Sequence, residues 1–311
     1  MSKQPKTLVR LTETEARDLL ESIRWPHGPQ CPHCKSDNAA KLGGKAAEKG
    51  LHKCRDCRKK FTVRVGTIFE DSPLPLRDWV YAFARMCSSK KGISAHQLHR
   101  ELGVTYKTAW FMCHRIRHAM QNSPDGGPFV GIVESDESYV GGKPRPANNK
   151  GRTGRQGKTD KAPVHVLVER GGRKRTTVVP DVKAHNLREN LIKHVDKTAE
   201  IHTDEQTAYP SATDGFADHK HVNHSKYEYF RVEGDKIVTT NTAESSFSLL
   251  KRGVYGTFHH VSKKHLQRYC DEFDFRWNNR EVDDVTRALT AIKQADGVRL
   301  VYVIPNCKQA G

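Results

Sequence analysis

Nothing in these 311 residues is apolar for long enough to cross a bilayer as a helix, which takes about 20 residues, so no membrane partner is expected. No secretory leader is visible either, so a cytoplasmic location, in which thiols stay reduced, is expected. Acid is scarce: 36 Asp and Glu against 53 Lys and Arg leave a formal charge of +17 and a pI near 9.5. Such an excess suits a polyanion, because each neutralised phosphate releases condensed counterions. No coiled-coil pattern is visible to specify an oligomer. The length exceeds what one hydrophobic core usually fills, so two or three domains are expected.

Cysteine is spent in one place. Cys31-Pro32-His33-Cys34 and Cys54-Arg55-Asp56-Cys57 are two identically spaced pairs, 19 residues apart, with polar and basic neighbours such as Lys35, Arg58 and Lys59. Tetrahedral Zn2+ is the simplest reason for that spacing, and two disulfides are disfavoured in a reducing compartment. Cys87, Cys113, Cys270 and Cys307 stand alone among apolar or helical neighbours and are expected to be buried hydrophobes.

The positive charge is also concentrated. Residues 141–175 hold eleven basic side chains, including Lys143, Arg145, Lys150, Arg152 and Arg155, against Asp160 and Glu169. Pro144, Pro146, Gly151, Gly154 and Gly157 break both helix and strand in the first part, which is expected to be a mobile loop that contacts phosphates.

Helical periodicity covers the first third. Residues 7–24 read as one short amphipathic helix, and Trp79, Phe83 and Met86 begin a helical segment that runs to about Met120. Within it, Ser94 can cap a helix carrying Leu98 and Leu102, Gly103 can end it, and Thr105 can cap the next. This is helix-turn-helix spacing, although an ordinary helical hairpin has the same pattern. In the DNA-binding form, Tyr106, Lys107 and Thr108 would face the major groove, with His114, Arg115 and Arg117 near the DNA backbone.

Strand patterns follow: residues 129–140, 163–168 and 176–179 as an antiparallel meander, a helix over 185–195, a strand over 200–203, a helical stretch near Thr207, a strand over 221–223 and a helix from Asn241. That order is the order of a ribonuclease H-like α/β fold. Asp136 lies in the first strand, Asp204 after the fourth and Glu244 in the first turn of the helix, so three carboxylates could meet at one sheet edge. Hard oxygen ligands suit Mg2+ or Mn2+, and a pair of such ions serves phosphoryl transfer.

On the helix from Asn241, Glu244, Ser248 and Lys251 share one side, while Ala243, Phe247 and Leu250 form the adjoining apolar face. An acid for metal and a lysine for phosphate would then line one groove. Asn241-Thr242-Ala243-Glu244 also fits a capping box, in which Glu244 would only cap its own helix. Glu137 competes with Asp136, but adjacent strand residues face opposite ways, so only one can reach the metal. Further on, Leu266, Tyr269, Cys270, Phe273 and Trp277 form a helical core stripe, and Arg276 and Arg280 are candidates for DNA contact.

The runs Glu134-Ser135-Asp136-Glu137-Ser138-Tyr139-Val140-Gly141-Gly142-Lys143, Thr203-Asp204, Asn241-Thr242-Ala243-Glu244 and Leu249-Leu250-Lys251-Arg252-Gly253 resemble the DDE transposases of a bacterial insertion-sequence group with an N-terminal zinc ribbon and an ISXO-type transposase domain. His265-Leu266-Gln267-Arg268-Tyr269 and Asn278-Asn279-Arg280 are similar too, so the resemblance spans nearly the whole chain. It implies Asp136, Asp204 and Glu244 as the catalytic metal triad and Lys251 as the basic residue after it, with Arg252 also on DNA. In some members the third catalytic position is asparagine, which leaves Asn241 as an alternative.

The resemblance implies a transposase that binds terminal inverted repeats, cleaves element ends and joins the 3′-hydroxyl to target DNA, acting as a homodimer or higher oligomer. The alternatives are a non-catalytic zinc-ribbon and helix-turn-helix regulator on a dead nuclease scaffold, or a stand-alone nuclease. The fold class expected is α+β multidomain: helix and zinc ribbon over 1–65, helix-turn-helix over 66–124, ribonuclease H-like DDE domain over 125–300, and a tail over 301–311.

Overall fold

Thr12 opens the first helix, α1 (Glu13–Arg24), because it closes a capping box with Glu15. The Thr12 hydroxyl accepts from the Glu15 amide at 3.3 Å and the Glu15 carboxylate accepts from the Thr12 amide at 2.8 Å. The helix therefore starts six residues later than the apolar pattern suggested. The computed structural model describes residues 8–121, 126–141 and 161–301, so Cys307 and the basic residues Lys143, Arg145, Lys150, Arg152 and Arg155 lie outside the described residues.

The chain forms two units, the first made of 1–89, 95–122 and 282–311 and the second of 90–94 and 123–281. In the first unit, β1 (Ala39–Lys41), the short α2 (Lys45–Glu48), β2 (His52–Cys54) and β3 (Lys60–Phe61) make an antiparallel ribbon in the order β1-β2-β3. Trp25 meets the rings of His52 and Phe61 edge-on at 5.2 and 5.7 Å, which gives this small sheet an aromatic core. Three helices follow: α3 (Leu76–Ser88), α4 (Ala95–Leu102) and α5 (Tyr106–Met120). Gly103 adopts a positive φ of 67° after α4, and the Thr105 side chain caps α5 by accepting from the Thr108 amide at 3.2 Å. Trp79, Phe83 and Met86 from α3 and Met112 and Ile116 from α5 are fully buried. Residues 282–300, grouped by sequence with the catalytic domain, belong instead to this first unit.

The second unit is built on a five-stranded mixed sheet. It comprises β4 (Ile132–Val140), β5 (Ala162–Glu169), β6 (Lys174–Val178), α6 (Ala184–His194), β7 (Glu200–Thr203), α7 (Tyr209–Ala212), β8 (Asp218–His221), a hairpin of β9 (Phe230–Glu233) and β10 (Lys236–Thr239), α8 (Asn241–Gly253) and α9 (Lys263–Asn278). The final helix, α10 (Asp284–Lys293), returns to the first unit. The sheet order is β6-β5-β4-β7-β8, with the first three strands antiparallel and β4, β7 and β8 parallel. Strand parity sorts its two faces. Val140, Val164, Val166 and Val168 pack under Ala243, Phe247 and Leu250 of α8 and Leu266, Cys270 and Phe273 of α9, while Val133, Leu167 and Ile201 pack on Leu187, Leu191 and Tyr209.

The β9–β10 hairpin was not read from the sequence, although Phe230-Arg231-Val232-Glu233-Gly234-Asp235-Lys236 carries its signal. The polarity alternates, and Gly234 supplies the positive φ of 61° that a glycine-first two-residue loop needs. At the opposite edge, α9 closes the outer side of β6 with polar side chains. Asn278, Asp274 and Gln267 accept from the Lys174, Thr176 and Val178 amides at 2.8, 2.5 and 2.8 Å, so this edge cannot template another strand.

Between the sheet and α6 runs a buried polar chain. The His165 ring lies 2.8 Å from Ser135 Oγ and 2.8 Å from Asn190 Nδ2, and Ser135 Oγ lies 3.3 Å from the Tyr209 hydroxyl. Burial pushes the His165 imidazole down to about 3, with the neighbouring His194 adding to the shift. A folded-state value below the unfolded one gives stability that is present above about pH 6.5 and is lost as pH falls toward 3. Between pH 7 and pH 4.5, wild type should therefore lose about 2 kcal/mol more unfolding free energy than His165→Gln, as read from urea denaturation at the two pH values.

Candidate functional site

Parallel pairing brings two of the acids to one level. The β4–β7 register pairs Glu134 with His202, so Asp136, two residues further along β4, comes level with Asp204, just past the end of β7. Strands in a sheet are about 5 Å apart. Asp136 shares its face of β4 with Glu134, the face that α8 covers.

Glu134 then fixes α8 over that face. Fully buried, it accepts from the Thr242 and Ala243 amides at 2.8 and 3.1 Å, from the Thr242 hydroxyl at 3.0 Å and from Arg170 at 3.0 Å. The first amides of a helix have no partner within it, and a carboxylate there also meets the positive end of the helix dipole. The residue at the N-cap is Thr240, with no side-chain capping bond. The capping box open to Asn241 and Glu244 is therefore not formed, because a carboxylate 108 residues away takes its place. The Glu244 side chain is left half exposed, with Oε1 3.2 Å from His224 Nε2. Asp136, Glu137, Asn241, Glu244, Ser248 and Lys251 line one open cavity of about 730 Å3.

Charge in this cavity is crowded. Burial pushes Asp136 up to about 7, and the Asp204 and Glu244 carboxylates add to the shift while Lys251 opposes it. Burial likewise raises Glu137 to about 8, with Asp204 and Asp136 contributing, although the Tyr209 hydroxyl donates to Glu137 at 2.7 Å. Asp204 is also raised, chiefly by burial. The oxygens of Asp136, Asp204 and Glu244 are near enough to feel one another but do not form a ligand cluster within 4.8 Å, as the ribbon thiols do.

Those thiols form the second centre. Cys31, Cys34, Cys54 and Cys57 place all four sulfurs within 4.8 Å of one another, with Cys31–Cys57 and Cys34–Cys54 contacts of 3.6 Å. Tetrahedral zinc with Zn–S bonds of 2.3 Å needs sulfurs about 3.8 Å apart, so the donor set fits. The two knuckles have the same backbone. Cys31 and Cys54 donate from their amides to Ser36 and Lys59 at 2.8 and 3.0 Å, and Lys35 and Arg58 take positive φ angles of 64° and 59°.

Two family models match this chain: the ISXO2-like transposase domain over residues 128–278 and the transposase zinc-ribbon domain of the same IS1595 group over residues 11–60. A protein of Halobacterium salinarum described as an uncharacterized protein in transposable element ISH50 is 33% identical over 288 residues, which cover 87% of this chain and 92% of that protein. The chain belongs to the IS1595-type transposases. A crystal structure of a pre-cleavage Mos1 transpososome is similar over 65% of this chain and 71% of that one, but at 12% identity and a TM-score of 0.27 the likeness is too slight to carry weight. Together the ribbon family and the four thiols support a structural Zn2+ in this transposase.

Other expected site residues fall in different places. Tyr106 and Lys107 are exposed and Thr108 half-buried at the start of α5, and Arg252 is exposed on α8. Arg115, expected near a DNA backbone, is 7% exposed and donates to the Ile68 and Glu70 carbonyls at 2.7 and 2.8 Å. It ties α5 to a loop of its own unit, and His114 and Arg117 are also buried. Arg276 is buried too, paired with Glu272 and stacked over Phe273 at 4.4 Å. In the basic run, Arg170, Arg173 and Lys174 pair with Glu134, Glu169 and Asp274, so their charge is spent inside the fold. Glu134, His224 and Glu205 were missed from the sequence. Glu134 alone carried a signal, as an acid two residues before Asp136 on the same strand face.

Two measurements check these centres. Glu134→Ala should cost about 2 to 4 kcal/mol in urea unfolding, since it strands two helix amides and Arg170, and Glu134→Gln should cost less. The purified transposase should carry about one zinc per chain. Cys34→Ser should lower that content sharply in elemental analysis, and chelation should melt the ribbon while the second unit keeps its thermal transition.

Proposed function

We propose that this IS1595-type transposase recognises the terminal inverted repeats of its element, hydrolyses a phosphodiester at each end and joins the freed 3′-hydroxyl to target DNA. The observation that carries the reading is that Asp136, Glu244 and Lys251 line one open cavity in a strongly basic chain, with Asp204 near enough to raise the Asp136 pKa. The strand order β6-β5-β4-β7-β8 with α8 on one face is that of ribonuclease H-like enzymes, which supports the same conclusion.

The donor set suits a hard divalent cation: three carboxylates, two of them with raised pKa values because burial and mutual repulsion disfavour their charge. Two Mg2+ or Mn2+ ions held by Asp136, Asp204 and Glu244 would supply activation of the attacking oxygen and stabilisation of the leaving one. Asp136 is held within a paired strand, Asp204 follows directly on β7, and Glu244 is placed by the Glu134 clamp. Lys251, two turns along α8, is positioned to hold a DNA phosphate, with Arg252 exposed beside it. Water displaces the strand end in the first step, and in the second the 3′-oxygen attacks a target phosphorus and releases the target's own 3′-oxygen. No covalent enzyme intermediate is required.

Recognition of the repeats is assigned to α4 and α5 as a helix-turn-helix, with Tyr106, Lys107 and Thr108 at the start of the second helix facing the major groove. Pairing two ends in one complex requires at least two copies of the chain.

The test is incubation of labelled element ends and target DNA with Mg2+ or Mn2+. Asp136→Asn, Asp204→Asn and Glu244→Gln should each lower cleavage and joining by about 100-fold or more while repeat binding persists. Lys251→Ala should weaken end binding by about tenfold. Wild type that binds the repeats but never cuts would make the chain a DNA-binding regulator, and cutting without joined products would make it a nuclease. If Asn241→Ala is inactive while Glu244→Gln is not, Asn241 is the third ligand.

A further inference from the structure

Three aromatic side chains within residues 227–230 face water. Tyr227 is 83% exposed, Tyr229 52% and Phe230 60%, whereas Tyr209 and Phe275 are buried. Grouped exposed rings of this kind commonly mark an interaction surface. Tyr227 also takes a φ of 59°, a left-handed conformation that bulky residues rarely adopt.

The turn that presents these rings is tied to both sides of the acid site. Glu205, next to Asp204, accepts from the His224 and Ser225 amides at 2.9 and 3.1 Å and from the Ser225 hydroxyl at 2.5 Å. Asn223 caps the same turn by accepting from the Lys226 amide at 3.1 Å, and its own amide donates to Glu228 at 3.0 Å. On the other side, His224 meets Glu244 at 3.2 Å, and its ring packs 5.4 Å from Tyr229. The aromatic turn is thus anchored beside Asp204 and Glu244 by four polar contacts, none of which involves Tyr227, Tyr229 or Phe230.

We propose that Tyr227, Tyr229 and Phe230 form a stacking platform for unpaired bases at the DNA end whose phosphate enters the acid cavity. This rests on the transposase reading above. Every base offers a π face whatever its sequence, so flat rings beside a cutting site can hold a frayed end without base-specific contacts. Lys226, exposed next to Tyr227, adds positive charge for the accompanying phosphates. Tyrosine suits a surface that is wet when empty, because its hydroxyl stays solvated while the ring stacks.

The experiment compares two short duplexes on the full-length, zinc-loaded protein without added divalent ions: one blunt, one with unpaired 2-aminopurine nucleotides at its end. Wild type should bind the frayed duplex more tightly and quench its fluorescence. Tyr227→Ala and Tyr229→Ala should each reduce that preference by about tenfold, with blunt-duplex affinity unchanged within about twofold. Tyr227→Phe, which keeps the ring, should behave as wild type. Equal loss on both duplexes, or no preference in wild type, would overturn the proposal. So would alanine variants that change only the sedimentation of the protein, since the rings would then join two copies of the chain. Because this experiment reads no cleavage, stacking by a wild type that never cuts with Mg2+ or Mn2+ would sink the catalytic reading alone, and active cleavage without stacking would sink only this one.

Discussion

The second unit depends on one buried carboxylate. Glu134 receives two backbone amides and a hydroxyl from the first turn of α8 and a guanidinium from Arg170, so strand and helix cannot slide past one another without stranding several polar groups. Asp136 lies two residues along the strand from this clamp, and Glu244 two residues beyond Thr242 on the helix. Arg170 extends the constraint by donating to the Ile237 and Thr239 carbonyls at 2.6 and 3.4 Å, which fastens β10 to the same point. A contact that touches no substrate thus sets the spacing of the groups proposed to do the chemistry.

The second constraint is electrostatic and runs against the overall charge. A chain of +17 draws in polyanions from a distance, yet the cavity beneath α8 is lined by acids, and burial disfavours the charged forms of Asp136 and Glu137 among them. Near the site a phosphate meets repulsion that only Lys251 offsets among the cavity-lining side chains. Long-range attraction and short-range repulsion are compatible if cations and DNA occupy the cavity together, and the carboxylates supply the hard oxygens such cations prefer.

Much of this architecture is legible in the sequence where a local signal exists. The bounds of β7, the meander of β4 to β6 and the apolar face of α8 all follow from spacing. The paired knuckles needed only four cysteines. What could not be read depends on partners distant in the chain: Glu134 occupies the cap that the Asn241 to Glu244 pattern could have formed by itself, and Arg115 is buried by carbonyls more than forty residues away. Both are cases of a tertiary contact overriding a permissive local pattern. The late start of α1 is different, because Thr12 and Glu15 had the capping box in plain view.

The run Glu134-Ser135-Asp136-Glu137 looks like a patch of interchangeable polar residues, yet the pleat gives neighbours separate tasks. Glu134 and Asp136 face α8, where one caps the helix and the other enters the cavity. Ser135 and Glu137 pleat the other way and join His165 and Tyr209 in a buried chain of hydrogen bonds, although Glu137 also lines the cavity beside Asp136. A slip of one residue would exchange the sets, placing Ser135 where Glu134 holds α8 and burying Asp136 against Tyr209. The pairing of β4 with β5, which aligns Asp136 with Val166 and Ser135 with Leu167, opposes that slip because each face of β5 is already committed to a different apolar core. Hydrophobic register on β5 therefore selects which residues of β4 face α8, and Asp136 and Glu137 reach the same cavity from opposite sides of the pleat.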